Sequence, residues 1–162
     1  MVRSSNEGTH LADHIPGPLH FDMMGKDGPL MFFAHTCPSD NRFWLFQTAH
    51  FSAWFRAMAI DLPGFGHSPK PLPGLTMEDV AQACWEAVDT VSGDKIILFG
   101  NSLGGEVVRR MVWQRPARSA AVITCALHAG PSSPNIFNQW RDIYRDQGIS
   151  PRFPHMEEHF AE

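Results

Sequence analysis

No stretch of this 162-residue sequence stays apolar for long. Its longest apolar runs, such as PLMFFA and AVITCAL, fall far short of the ~20 residues that a membrane-spanning helix needs. The opening MVRSSNEGTHLADHIPGP has no apolar region of the kind a secretory leader requires. Cysteine is scarce: Cys37, Cys84 and Cys125 are odd in number and widely spaced, which indicates neither a disulfide framework nor a zinc site. Basic runs are missing too. The 13 Lys and Arg and 17 Asp and Glu are scattered, for a net charge of −4, so nothing suggests nucleic acid. Repeats and low-complexity tracts are absent. The expectation is a protein of the reducing cytoplasm with no bound metal and neither nucleic acid nor membrane as partner.

What is present is enough for one domain with a sizeable core: 43% of residues are apolar and 19% charged. Residues 1–17 are polar and turn-rich and read as a loosely ordered segment. Strands are expected at Pro18–Met24, Pro29–His35, Arg56–Leu62, Lys95–Gly100 and Ala120–Leu127. The run PLMFFAH is continuous, as in a strand buried on both faces. Between the strands lie helical patterns. One runs through RFWLFQTAHF with Ser39 or Asp40 as N-cap. The next opens on a capping box of Thr76 and Asp79 and carries Val80, Cys84, Ala87, Val88 and Val91 on one face. A third, SLGGEVVRRMVWQ, is stopped by Pro116, and NIFNQWRDIYRDQ forms a possible fourth. Strands alternating with helices imply a three-layer α/β sandwich with a mostly parallel sheet.

One stretch carries chemistry. KIILFGNSLGGEVV runs from strand to turn to helix, with Ser102 between Gly100 and Gly104. This G-x-S-x-G arrangement is the pattern of a nucleophile elbow. A sharp strand-to-helix turn strains the nucleophile's backbone, and side chains at the flanking positions would strike the adjacent strand and helix, which glycine avoids. The helix N-terminus favours negative charge developing beside the serine. The competing reading is a glycine-rich phosphate-binding helix entry, with Ser102 as a simple cap.

Three stretches together resemble the α/β-hydrolases. FFAHTCPSDNRFW is similar to the His-Gly-x-Pro loop after their third strand, IDLPGFGHSPKP to their D-x-x-G-x-G-x-S-x-x-P loop, and NSLGGEVVRRMVWQRPARSAAVI to their elbow, helix and following strand. The likeness covers residues 18–130 and points to the cap-bearing serine esterases, lactonases and carbon–carbon bond hydrolases. A serine at the elbow argues against the members that use aspartate there, the haloalkane dehalogenases and epoxide hydrolases. The resemblance implies Ser102 as nucleophile toward a small acyl substrate without a cofactor, and the backbone N–H groups of Leu103 and Cys37 as oxyanion-hole donors. Thr36 stands where the family has glycine. A rival reading makes Cys37 a nucleophile paired with His35. By the same resemblance Asp61 is structural, orienting its loop, with Gly64, Gly66 and Ser68 as loop formers, and His50 and His67 are surface or capping groups.

A serine nucleophile needs a base, and the base an orienting acid. The family's order is Ser, then Asp or Glu, then His. No later histidine matches that pattern: His155 and His159 read as cap or surface groups, and His128 reads as a residue lining the pocket mouth, with a substitute base for Ser102 as the geometrically possible alternative. Residues 131–162 are similar to the start of a helical cap, and Phe43, Trp44, Phe137 and Trp140 read either as pocket aromatics or, as is commoner at such spacing, as core residues. The chain therefore reads as the N-terminal portion of a hydrolase. Alternatives are a hydrolase-like protein that binds a ligand without turnover, and a subunit completed by another chain. In the truncated case Ala120–Leu127 becomes an exposed sheet edge open to self-association.

Overall fold

The apolar runs form strands. In the computed structural model, which describes residues 14–126, β1 is Phe21–Met24, β2 is Leu30–Ala34, β3 is Arg56–Ile60, β4 is Ile96–Asn101 and β5 is Ser119–Cys125. They make one sheet in the order β1-β3-β2-β4-β5, with β1 antiparallel to β3 and the other neighbours parallel. Each strand falls where one was expected, with its ends within three residues of the expected bounds.

Why β2 lacks polar residues is now evident. It lies between β3 and β4, and Leu30, Met31, Phe32, Phe33 and Ala34 are all 5% exposed or less. Leu30, Phe32 and Ala34 face one core with Met58, Ile60 and Leu98, under α2 (Met77–Asp89) and α3 (Leu103–Gln114). Met31 and Phe33 face a second core with Trp44, Ala57 and Ala59, on the side of α1 (Leu45–Phe51). Each buried Leu, Ile, Met or Phe among them contributes about 1.5–3 kcal/mol. Helices thus cover both faces, and the sandwich is three-layered.

Local signals set the helix starts. The Thr76 hydroxyl accepts from the Asp79 N–H, and the Asp79 carboxylate accepts from the Thr76 N–H at 2.9 Å, so the capping box of α2 is complete. Asp40 also caps as expected, but its first turn, Asn41–Trp44, is a 3-10 helix that passes into α1 at Leu45. Trp85 departs from the expected face of α2. It is fully buried because α2 packs against α3 as well as the sheet, and its indole N–H donates to the Met111 carbonyl at 2.9 Å. The segment expected to be loose ends earlier than residue 17: Ile15 joins the main core, and the Leu72 N–H donates to the His14 carbonyl at 2.7 Å. Within α3, Glu106 bonds Arg109 and Arg110, and Arg110 reaches across to Glu78 of α2. Hydrogen bonding from Arg109 is the main reason the Glu106 carboxyl is held below its ordinary range.

Candidate active site

Ser102 sits between the last residue of β4 and the first of α3, with φ at 49° and ψ at −110°. A residue with a Cβ at positive φ costs on the order of 1–3 kcal/mol and persists only where the surroundings hold it. Two bonds hold it here. The Ser102 N–H donates to the Cys125 carbonyl of β5 at 2.9 Å, and the Ser102 carbonyl accepts the Glu106 N–H at 3.1 Å, the first turn of α3.

Both glycines of the motif are sterically required. A Cβ on Gly100 would lie 2.3 Å from the Gly104 carbonyl oxygen, and one on Gly104 would lie 2.1 Å from the Ala34 oxygen and 2.7 Å from that of His35. The first turn of α3 therefore rests directly on the end of β4 and on the end of β2. That contact brings together the two loops singled out in the sequence. Ala34 pairs with Gly100 in register, so Thr36 and Cys37 follow β2 just where Ser102 and Leu103 follow β4. Leu103 begins α3, and the N–H of a first helical residue has no acceptor within its own helix. Thr36 and Cys37 are half-buried, and the Cys37–Pro38 peptide is cis.

His35 is fully buried, and both its ring nitrogens are engaged. The Leu62 N–H, which can only donate, lies 3.0 Å from Nε2; Nε2 is therefore the acceptor and Nδ1 carries the proton, which it donates to the Thr36 carbonyl at 2.7 Å. Burial lowers the pKa of this ring below its ordinary value, consistent with the neutral form. Both nitrogens being committed elsewhere, His35 does not serve Cys37 as a base, and the rival pairing falls.

Asp61, 1% exposed, organises the loop after β3. Its Oδ1 accepts the Asn41 N–H at 2.7 Å, and its Oδ2 accepts the His67 N–H at 2.9 Å and meets His20 Nδ1 at 3.0 Å. The Ser68 hydroxyl donates to the Asp61 carbonyl at 2.6 Å and accepts the His20 N–H. Gly66, at φ 51°, lies so close that a Cβ would come 2.2 Å from the Asp61 carboxylate. The structural role expected of Asp61, Gly66 and Ser68 is what the geometry shows. His20 and Asn41 went unnoticed in the sequence, where nothing marks them as partners of a residue so far along the chain.

The remaining expectations divide. Phe43 is exposed, whereas Trp44 lies in the core against Phe33. His50 and His67 are exposed, His50 in the last turn of α1. Leu127, His128, Phe137, Trp140, His155 and His159, and with them the substitute-base and pocket-mouth readings of His128, lie outside the described residues. Ser102 itself is exposed, and among the described residues no histidine or carboxylate is hydrogen-bonded to its hydroxyl. A groove of about 330 Å³ lies elsewhere, between Ile15–Phe21 and α2, and Ser102 is not part of its lining. Among the described residues no group of His, Cys, Asp and Glu is arranged to hold a metal, and no helix is long and apolar enough to cross a membrane.

Comparison with known proteins bears on this site. The family described as the alpha/beta hydrolase fold matches residues 29–151. Epoxide hydrolase 3 of Xenopus tropicalis is 28% identical over 130 residues, covering 79% of this chain and 34% of its own length. The pimeloyl-[acyl-carrier protein] methyl ester esterase of Vibrio campbellii is 30% identical over 127 residues, covering 77% of this chain and 46% of its own. A thermophilic esterase of Thermogutta terrifontis superposes with a TM-score of 0.77 at 30% identity, covering 85% of this chain and 52% of that one. The chain thus spans between a third and about half the length of these relatives. With the mixed sheet, the glycine-flanked turn at Ser102 and the loop around Asp61 on the same pattern, the chain belongs to the α/β-hydrolase family.

Proposed function

We propose that Ser102 is the nucleophile of a cofactor-free serine hydrolase that cleaves a small ester, lactone or related acyl substrate. The observation that carries this is the positive φ of Ser102, held at the tip of the strand-to-helix turn by two glycines whose replacement would drive side-chain atoms into backbone. In the reaction, Oγ bonds to the acyl carbon as its proton passes to a base. The tetrahedral oxyanion collapses to an acyl-enzyme with loss of the alcohol, and water then releases the acid and restores the serine. The N–H groups of Leu103 and Cys37 would hold the oxyanion, each worth on the order of 3 kcal/mol in the transition state. No base or orienting acid is bonded to Ser102 among the described residues.

The relatives named as epoxide hydrolases do not redirect this reading. Opening an epoxide with a carboxylate gives an ester that water can cleave, whereas opening it with a serine gives an ether that cannot be hydrolysed through a carbonyl. A serine at the elbow suits acyl transfer. The setting proposed is cytoplasmic, with a small molecule as the partner and neither nucleic acid nor membrane.

A serine-directed fluorophosphonate tests the assignment: it labels Ser102, and Ser102→Ala removes both labelling and ester turnover. Turnover unchanged in Ser102→Ala rejects Ser102 as nucleophile. A second reading, a protein that holds a small acyl ligand without turnover, draws on the Ser102 hydroxyl having no basic partner among the described residues. Ligand binding by a folded chain that resists labelling would favour it.

A further inference from the structure

The ring of His35 lies on one side of β2 and the elbow on the other. β2 is flanked by β3 and β4; His35 Nε2 accepts from Leu62, just past β3, while Ser102 follows β4. The Nδ1–H of the same ring holds the Thr36 carbonyl at 2.7 Å. The Thr36–Cys37 peptide is trans, and in a trans peptide C=O and N–H point in opposite directions. A carbonyl held against the His35 ring therefore turns the Cys37 N–H away from that ring, toward the β4 side.

We propose that His35 is a positioning residue whose neutral, Nδ1-protonated ring sets the direction of the Cys37 N–H, and that protonation at Nε2 in acid, by setting two donors against each other at Leu62, displaces the ring together with the Thr36 carbonyl it holds. The inference deepens the hydrolase reading, in which Cys37 supplies an oxyanion donor. Its physical basis is that a second proton on Nε2 would confront the Leu62 N–H, 3.0 Å away, donor against donor. Either the ring or the loop after β3 must then move. The Thr36 carbonyl, Asp61 and Asp40 favour the charged form of the ring, Phe65 packs edge-on against it at 5.3 Å, and burial opposes the charge more strongly than these groups support it. Protonation accordingly falls below the ordinary histidine range, and the oxyanion loop is held in place at neutral pH. The Thr36 side chain takes no part in this hold, its hydroxyl donating to the Cys37 carbonyl at 3.4 Å.

Nitrogen and amide NMR of the full chain tests this without any turnover. At neutral pH the ring nitrogens of His35 should show a protonated Nδ1 and an unprotonated Nε2. On acidification the His35 ring and the amides of Leu62 and Cys37 should shift along one shared titration curve, while the Trp85 indole signal stays still. His35→Asn keeps an N–H near the Nδ1 position but does not titrate, so its Cys37 amide should stay flat across that range. His35→Phe keeps the bulk without the bonds, and its Cys37 amide should already be displaced at neutral pH. An Nε2-protonated ring at neutral pH, or a Cys37 amide that ignores the ring's titration, overturns the proposal. Should the chain unfold before the ring titrates, the neutral-pH tautomer still decides. Fluorophosphonate labelling reads Ser102 and these spectra read His35, so failure of one reading is distinguishable from failure of the other.

Discussion

Leu98 of β4 is fully buried, whereas Val122, its partner in register on β5, is 46% exposed. One strand separates core from solvent, and Ser102 stands at that boundary. On its inner side β2 and β3 are covered on both faces, and the buried polar groups His35 and Asp61 have their bonds made within the domain. On its outer side Ala120–Cys125 are all exposed, and β5 is the outermost strand of the sheet among the described residues. The contrast teaches that the strained turn joins two unlike sides, with α3 closing directly on the end of the buried β2. β5 contributes one backbone bond to the same turn.

The most damaging test of that asymmetry is Gly104→Ala. The added carbon would lie 2.1 Å from the Ala34 oxygen, backbone against backbone, so α3 must part from β2. A loss of about 3 kcal/mol is expected in a denaturant melt, and wild-type stability would show that the approach is not tightly held. Next comes Asp61→Ala, which strands the Asn41 and His67 N–H groups and the His20 ring. The expected cost is about 2 kcal/mol, and a neutral result would mean that water replaces the carboxylate freely.

Acid should weaken the inner side by a smaller amount. His35 is easier to protonate unfolded than folded, because burial lowers its folded pKa. Its contribution is therefore complete above the unfolded value of about 6.5 and is lost as pH falls from there toward the folded value. His35→Asn should flatten that part of the stability profile, and an unchanged slope would acquit His35. The smallest effect belongs to the outer side: Val122→Thr should change stability by no more than about 0.5 kcal/mol. A loss several times larger would reveal something covering β5.

Much of the fold was legible because strands buried on both faces cannot afford polar residues, so PLMFFAH and KIILFG announce themselves. The elbow was legible for a similar reason: Gly100 and Gly104 mark close contacts that no other residue permits. What stayed hidden depends on partners distant in sequence. The burial of Trp85 requires knowing that α3 lies across α2, and its position off the apolar stripe of α2 gives no warning. Asp61 could be read as a loop organiser, but His20 and Asn41 reach it from 41 and 20 residues away, with no periodic relation to reveal them. The Thr36–His35 hydrogen bond is local, yet its meaning depends on Leu62 occupying the far side of the ring.

The bond from the Ser102 N–H to the Cys125 carbonyl has a consequence in time. An amide exchanges its hydrogen with water only when its bond opens, so this single proton clocks the opening of β5 from β4. If the edge strand frays often, the Ser102 amide will exchange in step with β5 and ahead of Val107 and Val108 deeper in α3. Any molecule that pairs with the outer edge and quiets that fraying would then slow exchange at the turn while touching nothing near the hydroxyl.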